Sequence, residues 1–217
     1  MRGDVIVLEP YHRQAARKIL PLIQNAIENK PERYTVTVAG ESGSGKSETA
    51  QALKEELEKV GLKAIVLGQD DYFVLPPRSN DARRRSDPEW LGPHIEVRLD
   101  QLDQNLHDAI AGKEKITKPL VDYDRDSVEE ETVDLEGVDV VIAEGTYTSL
   151  LKHVDMRIFI ARSRVDTLEH RRKRARGAEA GDLFIEDILK MEHKIIAGHR
   201  QLADIVLTKD YDVLVMD

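Results

Sequence analysis

Residues 40–47 read Gly-Glu-Ser-Gly-Ser-Gly-Lys-Ser, a gapless match to G-x-x-x-x-G-K-[ST]. Each residue type has a physical task there. Glycines accept backbone angles that other residues resist, and they let amides approach an anion closely. Successive amide hydrogens then form a concave nest for phosphate oxygens. A helix opening at this point adds about half a positive charge at its N-terminus. Lys46 would span the β- and γ-phosphates of a nucleoside triphosphate, and Ser47 would ligate Mg²⁺. Gly40, Glu41, Ser42, Gly43, Ser44, Gly45, Lys46 and Ser47 are the expected nucleotide-binding residues. A glycine turn that carries a lysine by chance would lack the right flanks. Here a β-branched segment, residues 34–39 (YTVTVA), precedes the loop and an amphipathic one, 46–60, follows it.

Two acidic segments could complete such a site. Residues 138–143 (VDVVIA) form a nearly continuous apolar run, typical of a central parallel strand, and Glu144 follows it. An acid delivered at that end would hold Mg²⁺ directly or through its water shell, which makes Ser47 and Glu144 the expected metal residues. The second segment is 69–73, Gln-Asp-Asp-Tyr-Phe, after a strand at 63–67. A carboxylate near a γ-phosphate can take the proton of an attacking hydroxyl. Aspartates also stabilise turns, and the segment alone leaves both readings open. A third cluster is basic: residues 169–176 read EHRRKRAR. Arg171 and Arg174 lie three apart and share a helix face. Guanidinium planes match phosphate oxygens and stabilise a transferring phosphoryl group, although a solvated basic face would carry the same residues.

These groups need a scaffold, and the chain alternates strand and helix patterns throughout. Residues 11–29 are helical by period, with Pro21 predicting a kink or restart. Helices are also predicted at 97–111, 165–176 and 183–202, and strands at 156–161, 205–207 and 213–216. Residues 69–93 form a long excursion with four prolines and the run Arg83-Arg84-Arg85. Alternating strands and helices imply a parallel sheet covered on both faces, with ligands at the carboxyl ends of the strands. The expected fold is therefore α/β, a P-loop NTPase-type doubly wound parallel sheet with helices on both faces.

Composition narrows the function classes. The 217 residues suffice for one ordinary domain, and 41 % are apolar. No apolar run approaches the roughly 18 residues of a membrane span, and the first residues lack the apolar core of a signal peptide. Absence of cysteine excludes disulfides, thiolate zinc sites and cysteine catalysis. A cytoplasmic location without membrane partners is expected. The formal charge of −9 repels polyanions, so no nucleic-acid partner is expected.

Together these features resemble the family that contains uridine kinase, phosphoribulokinase and bacterial pantothenate kinase, with the uridine kinase branch closest in order and spacing. The matching residues span 35–207. They are the loop GESGSGKS, QDDYF, Lys118-Pro119 with Asp122 downstream, the VVIAEG strand, the arginine-rich helix, and Ala203-Asp204-Ile205-Val206. The resemblance implies ATP-dependent phosphoryl transfer to a hydroxyl of a small molecule, with Mg²⁺. Asp70 then matches the general base, Glu144 the strand-end acid, and Arg171 and Arg174 the basic helix leading into a helical lid near residues 171–182, with Gly177 and Gly181 at its ends. Asp70, Lys46, Arg171 and Arg174 are the catalytic candidates.

Departures gather on the acceptor side. The family's His-Pro-Asp-Ala-Phe-Asp segment becomes Gly92-Pro93-His94-Ile95-Glu96. Tyr-Asp-Phe followed by histidine becomes Val121-Asp122-Tyr123-Asp124, with Asp126 near the histidine position. The Arg-Gly-Arg-Asp lid tip becomes Glu179-Ala180-Gly181-Asp182. Phe73, His94, Asp122 and Tyr123 are the acceptor-binding candidates by position. The acceptor is accordingly expected to be a nucleoside or another small hydroxyl compound: a sugar, a sugar phosphate, pantothenate, glycerate or nicotinamide riboside. The alternatives from other classes are a nucleotide-binding regulatory protein without acceptor chemistry, and a nucleic-acid kinase or translocase. His107, His193 and His199 read as surface or packing residues of helices, and Trp90 as a core or lid anchor. Residues 1–33 are expected to be an extension packed on a kinase domain at 34–217. A homo-oligomer is compatible with the sequence.

Overall fold

Apolar continuity in the central strands follows from burial on both faces. In the computed structural model, which describes residues 6–167 and 183–216, β5 (Val140–Gly145) turns Val140 and Ile142 into one core and Val141 and Ala143 into another. The first core receives α1 (Pro10–Glu28) through Ala15, Ala16, Ile19, Ile23 and Ile27, and α2 (Lys46–Lys59) through Ala50, Leu53 and Leu57. The second receives α4 (Leu99–Ile110) through Leu99, Leu102 and Leu106. Helix periodicity of three and four is thus matched to one buried stripe per helix.

The main sheet has the order β2-β5-β1-β6-β7-β8. β1 (Tyr34–Gly40) is central, between β5 and β6 (Met156–Ile160), and β2 (Ala64–Gly68) is the edge beyond β5. These four strands and β7 (Ile205–Leu207) run parallel. The expected parallel sheet is present, and one strand at its edge reverses: β8 (Val213–Val215) is antiparallel to β7. Only a short turn joins them, closed by Thr208 N–H to the Asp212 carbonyl at 2.9 Å, and such a link cannot make a parallel crossover.

Other differences are local. α1 runs through Pro21 as one element, without a restart. The 69–93 excursion contains a 3₁₀ turn (Gln69–Tyr72) and α3 (Pro77–Ser86). α3 buries only Asn80, so it carries no apolar period to read. β3 (Lys115–Asp122) and β4 (Ser127–Asp134) form a separate antiparallel hairpin. β4 shows no buried residue, so its apolar alternation is weak. α5 (Leu183–Ile196) ends before Gly198, and a 3₁₀ turn (His199–Leu202) replaces the expected helical continuation. Most of the predicted 165–176 helix, with Arg171 and Arg174, lies outside the described residues, as does all of the expected lid at 171–182.

Candidate active site

Strand register places the candidate groups side by side. Glu144 is level with Val38 on β1 and with Gly68 on β2. Neighbouring strands are about 4.8 Å apart. What leaves the carboxyl ends of β1, β2 and β5 must therefore converge. These are the phosphate loop, the 69–72 turn and Glu144 itself. They border a cavity of about 330 Å³ lined by Ser47, Asp70, Asp71, Lys118, Glu131 and Glu144, together with Ile6 from the segment before α1.

The loop is built as its glycines require. Gly45 stands at φ 96°, a left-handed angle that suits glycine, and α2 starts immediately after it. The Thr49 amide and hydroxyl both donate to the Gly45 carbonyl, at 2.9 and 2.7 Å. Lys46 Nζ rests on the Glu41 carbonyl at 3.1 Å.

The Asp-Asp pair divides into two environments. Asp71 is buried, receives Lys118 Nζ at 2.7 Å, and accepts the Val121 amide at 3.0 Å. Lys118 also pairs with Glu131 at 3.1 Å, its direct cross-strand partner in the hairpin. Asp71 thus ties the 69–72 turn to the hairpin. Asp70 is exposed and lines the cavity beside Ser47 and Glu144. Gln69 fixes the turn from the other side, because its Oε1 accepts the Tyr147 amide at 2.7 Å. A Cβ on Gly145 would lie 2.2 Å from Gln69 Cβ, so only glycine fits there.

The Glu144 carboxyl sits deep among protein atoms at the cavity wall, and this desolvation pushes it up to about 7. The Asp70 carboxylate adds to the rise, while Lys46 and a hydrogen bond from Ser47 oppose it. A desolvated carboxylate facing a second acid and a serine hydroxyl suits a divalent cation, whose charge would stabilise the ionised form. The residues present therefore fit Mg²⁺ at Ser47 and Glu144. Among the described residues no cluster of three or more His, Cys, Asp or Glu side chains has metal-ligating geometry.

Sequence reasoning missed the grip of α5 on the phosphate loop. Glu192 accepts the Ser42 amide at 2.7 Å and the Ser42 hydroxyl at 2.8 Å. His193 Nδ1 lies 2.6 Å from Glu41 Oε1, and Glu41 Oε2 accepts the Arg164 amide at 2.6 Å. Burial raises the Glu192 carboxyl above its usual range, with Lys46 and Ser42 opposing. Nothing local marks Glu192-His193, since a polar pair on a helix is common and its partner stands 150 positions away. His199, by contrast, is a packing residue against Ser149 Oγ at 2.9 Å, and burial lowers its pKa.

None of the four acceptor candidates lines the cavity. Phe73 bridges to Val97 and lies 5.6 Å beneath the Arg84 guanidinium. His94 is exposed, at φ 63°. Asp122 accepts the Arg125 amide at 2.9 Å and closes the hairpin turn that also contains Tyr123. The excursion is held instead by buried Glu96, which accepts from Arg84 at 2.7 Å and Asn80 at 3.1 Å, while Trp90 donates to Asn80 at 2.8 Å. Trp90 thus anchors the excursion.

Strand order, loop and strand-end acid together define a P-loop kinase fold. A D-glycerate 3-kinase from Cryptococcus neoformans shares it, with TM-score 0.64, 15 % identity, and coverage of 96 % of this chain and all of that one. The family model for the Phosphoribulokinase / Uridine kinase family matches residues 35–195. The chain belongs to that family. Among curated relatives, the bifunctional alpha-galactosidase/sucrose kinase AgaSK of Mediterraneibacter gnavus is 28 % identical over 196 residues, 85 % of this chain. A uridine kinase of Ureaplasma parvum is 29 % identical over 143 residues, 61 % of this chain. The matches span 21 % and 64 % of those proteins' lengths. Among the described residues no helix is long and apolar enough to cross a membrane.

Proposed function

We propose that the protein transfers the γ-phosphoryl group of ATP to a hydroxyl of a small molecule, in the manner of a uridine kinase. The observation that carries this reading is the convergence of loop, Asp70 and Glu144 on one cavity. Lys46 neutralises the β- and γ-phosphates held by the loop amides. Ser47 and Glu144 would hold Mg²⁺, which would supply charge neutralisation at the phosphates. Asp70, exposed to the cavity, takes the acceptor's proton as its oxygen attacks phosphorus. Arg171 and Arg174 are assigned to the transferring phosphoryl by resemblance alone.

The lining also bears on the acceptor. Among the described residues it holds Asp70, Asp71, Glu131 and Glu144 against a single cation, Lys118, which is already paired with two of them. An acceptor carrying phosphate or carboxylate would meet net repulsion there. An uncharged polyhydroxyl compound, such as a nucleoside or sugar, is favoured. Relatives named for uridine and sucrose fit that preference.

The test is an acceptor panel with Mg-ATP: uridine, cytidine, ribose, sucrose, nicotinamide riboside, ribulose 5-phosphate, pantothenate and glycerate. Transfer is expected to the neutral members. A preference for the anionic ones would refute the charge argument. Product formation no higher than background hydrolysis would favour a regulatory nucleotide-binding protein. Asp70→Asn should retain ATP affinity and lose transfer, and a variant as fast as wild type would remove Asp70 from the mechanism.

A further inference from the structure

Two residues far apart in the sequence, His12 and Tyr211, meet behind the phosphate loop. His12, in the first turn of α1, is fully buried. Its Nδ1 faces the Glu9 amide hydrogen at 3.1 Å and must accept it. The ring proton therefore sits on Nε2, which donates to Tyr211 Oη at 3.2 Å. Tyr211 in turn donates to the Ser44 carbonyl at 2.5 Å. Tyr211 is buried and held at φ 65°, a left-handed angle that a bulky residue keeps only where the surroundings enforce it. Tyr11 packs on its ring at 4.6 Å and the Arg162 guanidinium lies 5.4 Å from it. The contact with the loop is direct. A Cβ on Gly45 would fall 1.9 Å from Tyr211 Oη and 2.9 Å from His12 Nε2.

Peptide planarity gives this relay a consequence. The Ser44 carbonyl and the Gly45 amide belong to one trans peptide, so they point in opposite directions. A hydrogen bond that holds the carbonyl to the rear of the loop aims the Gly45 N–H to the front, where phosphates bind. We propose that His12 and Tyr211 are positioning residues for the phosphate nest, fixing the Ser44–Gly45 peptide so that its amide serves the nucleotide. Helix α1, which begins ahead of the region matched by the family model, is thereby part of the nucleotide site. The proposal rests on the reading of residues 40–47 as a nucleotide loop.

Tyr211→Phe removes the hydroxyl and keeps the ring. His12→Gln keeps an N–H donor near Nε2, whereas His12→Ala removes it. Calorimetric titration with Mg-ATP, Mg-ADP and AMP needs no acceptor. Tyr211→Phe and His12→Ala are expected to weaken ATP and ADP about tenfold, the worth of one hydrogen bond to a charged ligand, and to leave AMP within about twofold. His12→Gln should recover most of that loss. ADP binding by Tyr211→Phe within about twofold of wild type overturns the proposal. So does equal weakening of all three nucleotides with a lowered melting temperature, which marks a purely structural contact. Should His12→Ala fail to fold, Tyr211→Phe alone decides. A wild-type protein that binds none of the nucleotides would instead refute the parent reading.

Discussion

Glu192 places a protein carboxylate on the loop that is built for phosphate, and removing its charge should tighten ATP binding. Its oxygens take the Ser42 amide and hydroxyl at 2.7 and 2.8 Å, and the residue is 5 % exposed. The magnitude can be bounded by taking a phosphate charge about 5 Å from that carboxylate. At an effective dielectric of about 20, two unit charges at that distance repel by about 3 kcal/mol. Lys46, whose charge favours the ionised form of Glu192, and a bound cation would offset much of this. A remainder of about 1.4 kcal/mol is a factor of ten in affinity. Glu192→Gln preserves shape and still accepts the Ser42 amide, so the loop keeps its partner. Calorimetric titration should show Mg-ATP bound about tenfold more tightly by the variant, with AMP unchanged. Equal or weaker ATP binding would show that the carboxylate supports the loop and does not compete with phosphate.

Three further outcomes follow from packing and charge. Lys118→Met strands Asp71 in the interior, where the pair is 5 % and 4 % exposed; urea unfolding should show a loss of about 3–5 kcal/mol, and a loss below about 1 would mean water reaches the pair. Gly145→Ala drives a methyl into Gln69 and displaces the turn bearing Asp70; a misplacement of about 1 Å should slow transfer about a hundredfold while ATP affinity changes little, and equal loss of both would refute it. Glu144 binds its proton more tightly folded than unfolded, since its folded pKa of about 7 exceeds the ordinary 4.5. Its contribution to stability is then full below about pH 4.5 and lost as pH rises toward 7. Without Mg²⁺ the melting temperature should fall across that window, and Glu144→Gln should flatten the decline; identical profiles would place the titration elsewhere.

Much of the scaffold was legible because its signals are local. β-branched residues 34–39 and the double-faced apolar run before Glu144 announce central parallel strands, and the spacing in 11–29 announces the stripe that α1 buries. Where local signals are weak, structure was needed. α3 buries one polar residue, β4 is exposed or half-buried along its length, and the reversal of β8 depends on a short turn. The acceptor candidates His94, Asp122 and Tyr123 were positioned by analogy of order along the chain, and order does not set direction: Asp122 is occupied with the Arg125 amide in a turn.

The phosphate loop could be read directly from the chain, because its function resides in eight consecutive residues whose glycines, lysine and serine do their work through adjacent backbone. The position of Glu144 at the end of a buried strand was legible in the same way. Which aspartate of the pair stays exposed in the cavity could not be read that way, since it depends on Lys118 arriving from the hairpin to claim Asp71. Folding in three dimensions also brought Glu192 to Ser42, and His12 to Tyr211 across 199 positions. Such contacts leave no periodicity, because a single polar side chain meeting a distant partner changes neither the apolar pattern nor the propensity of its own segment.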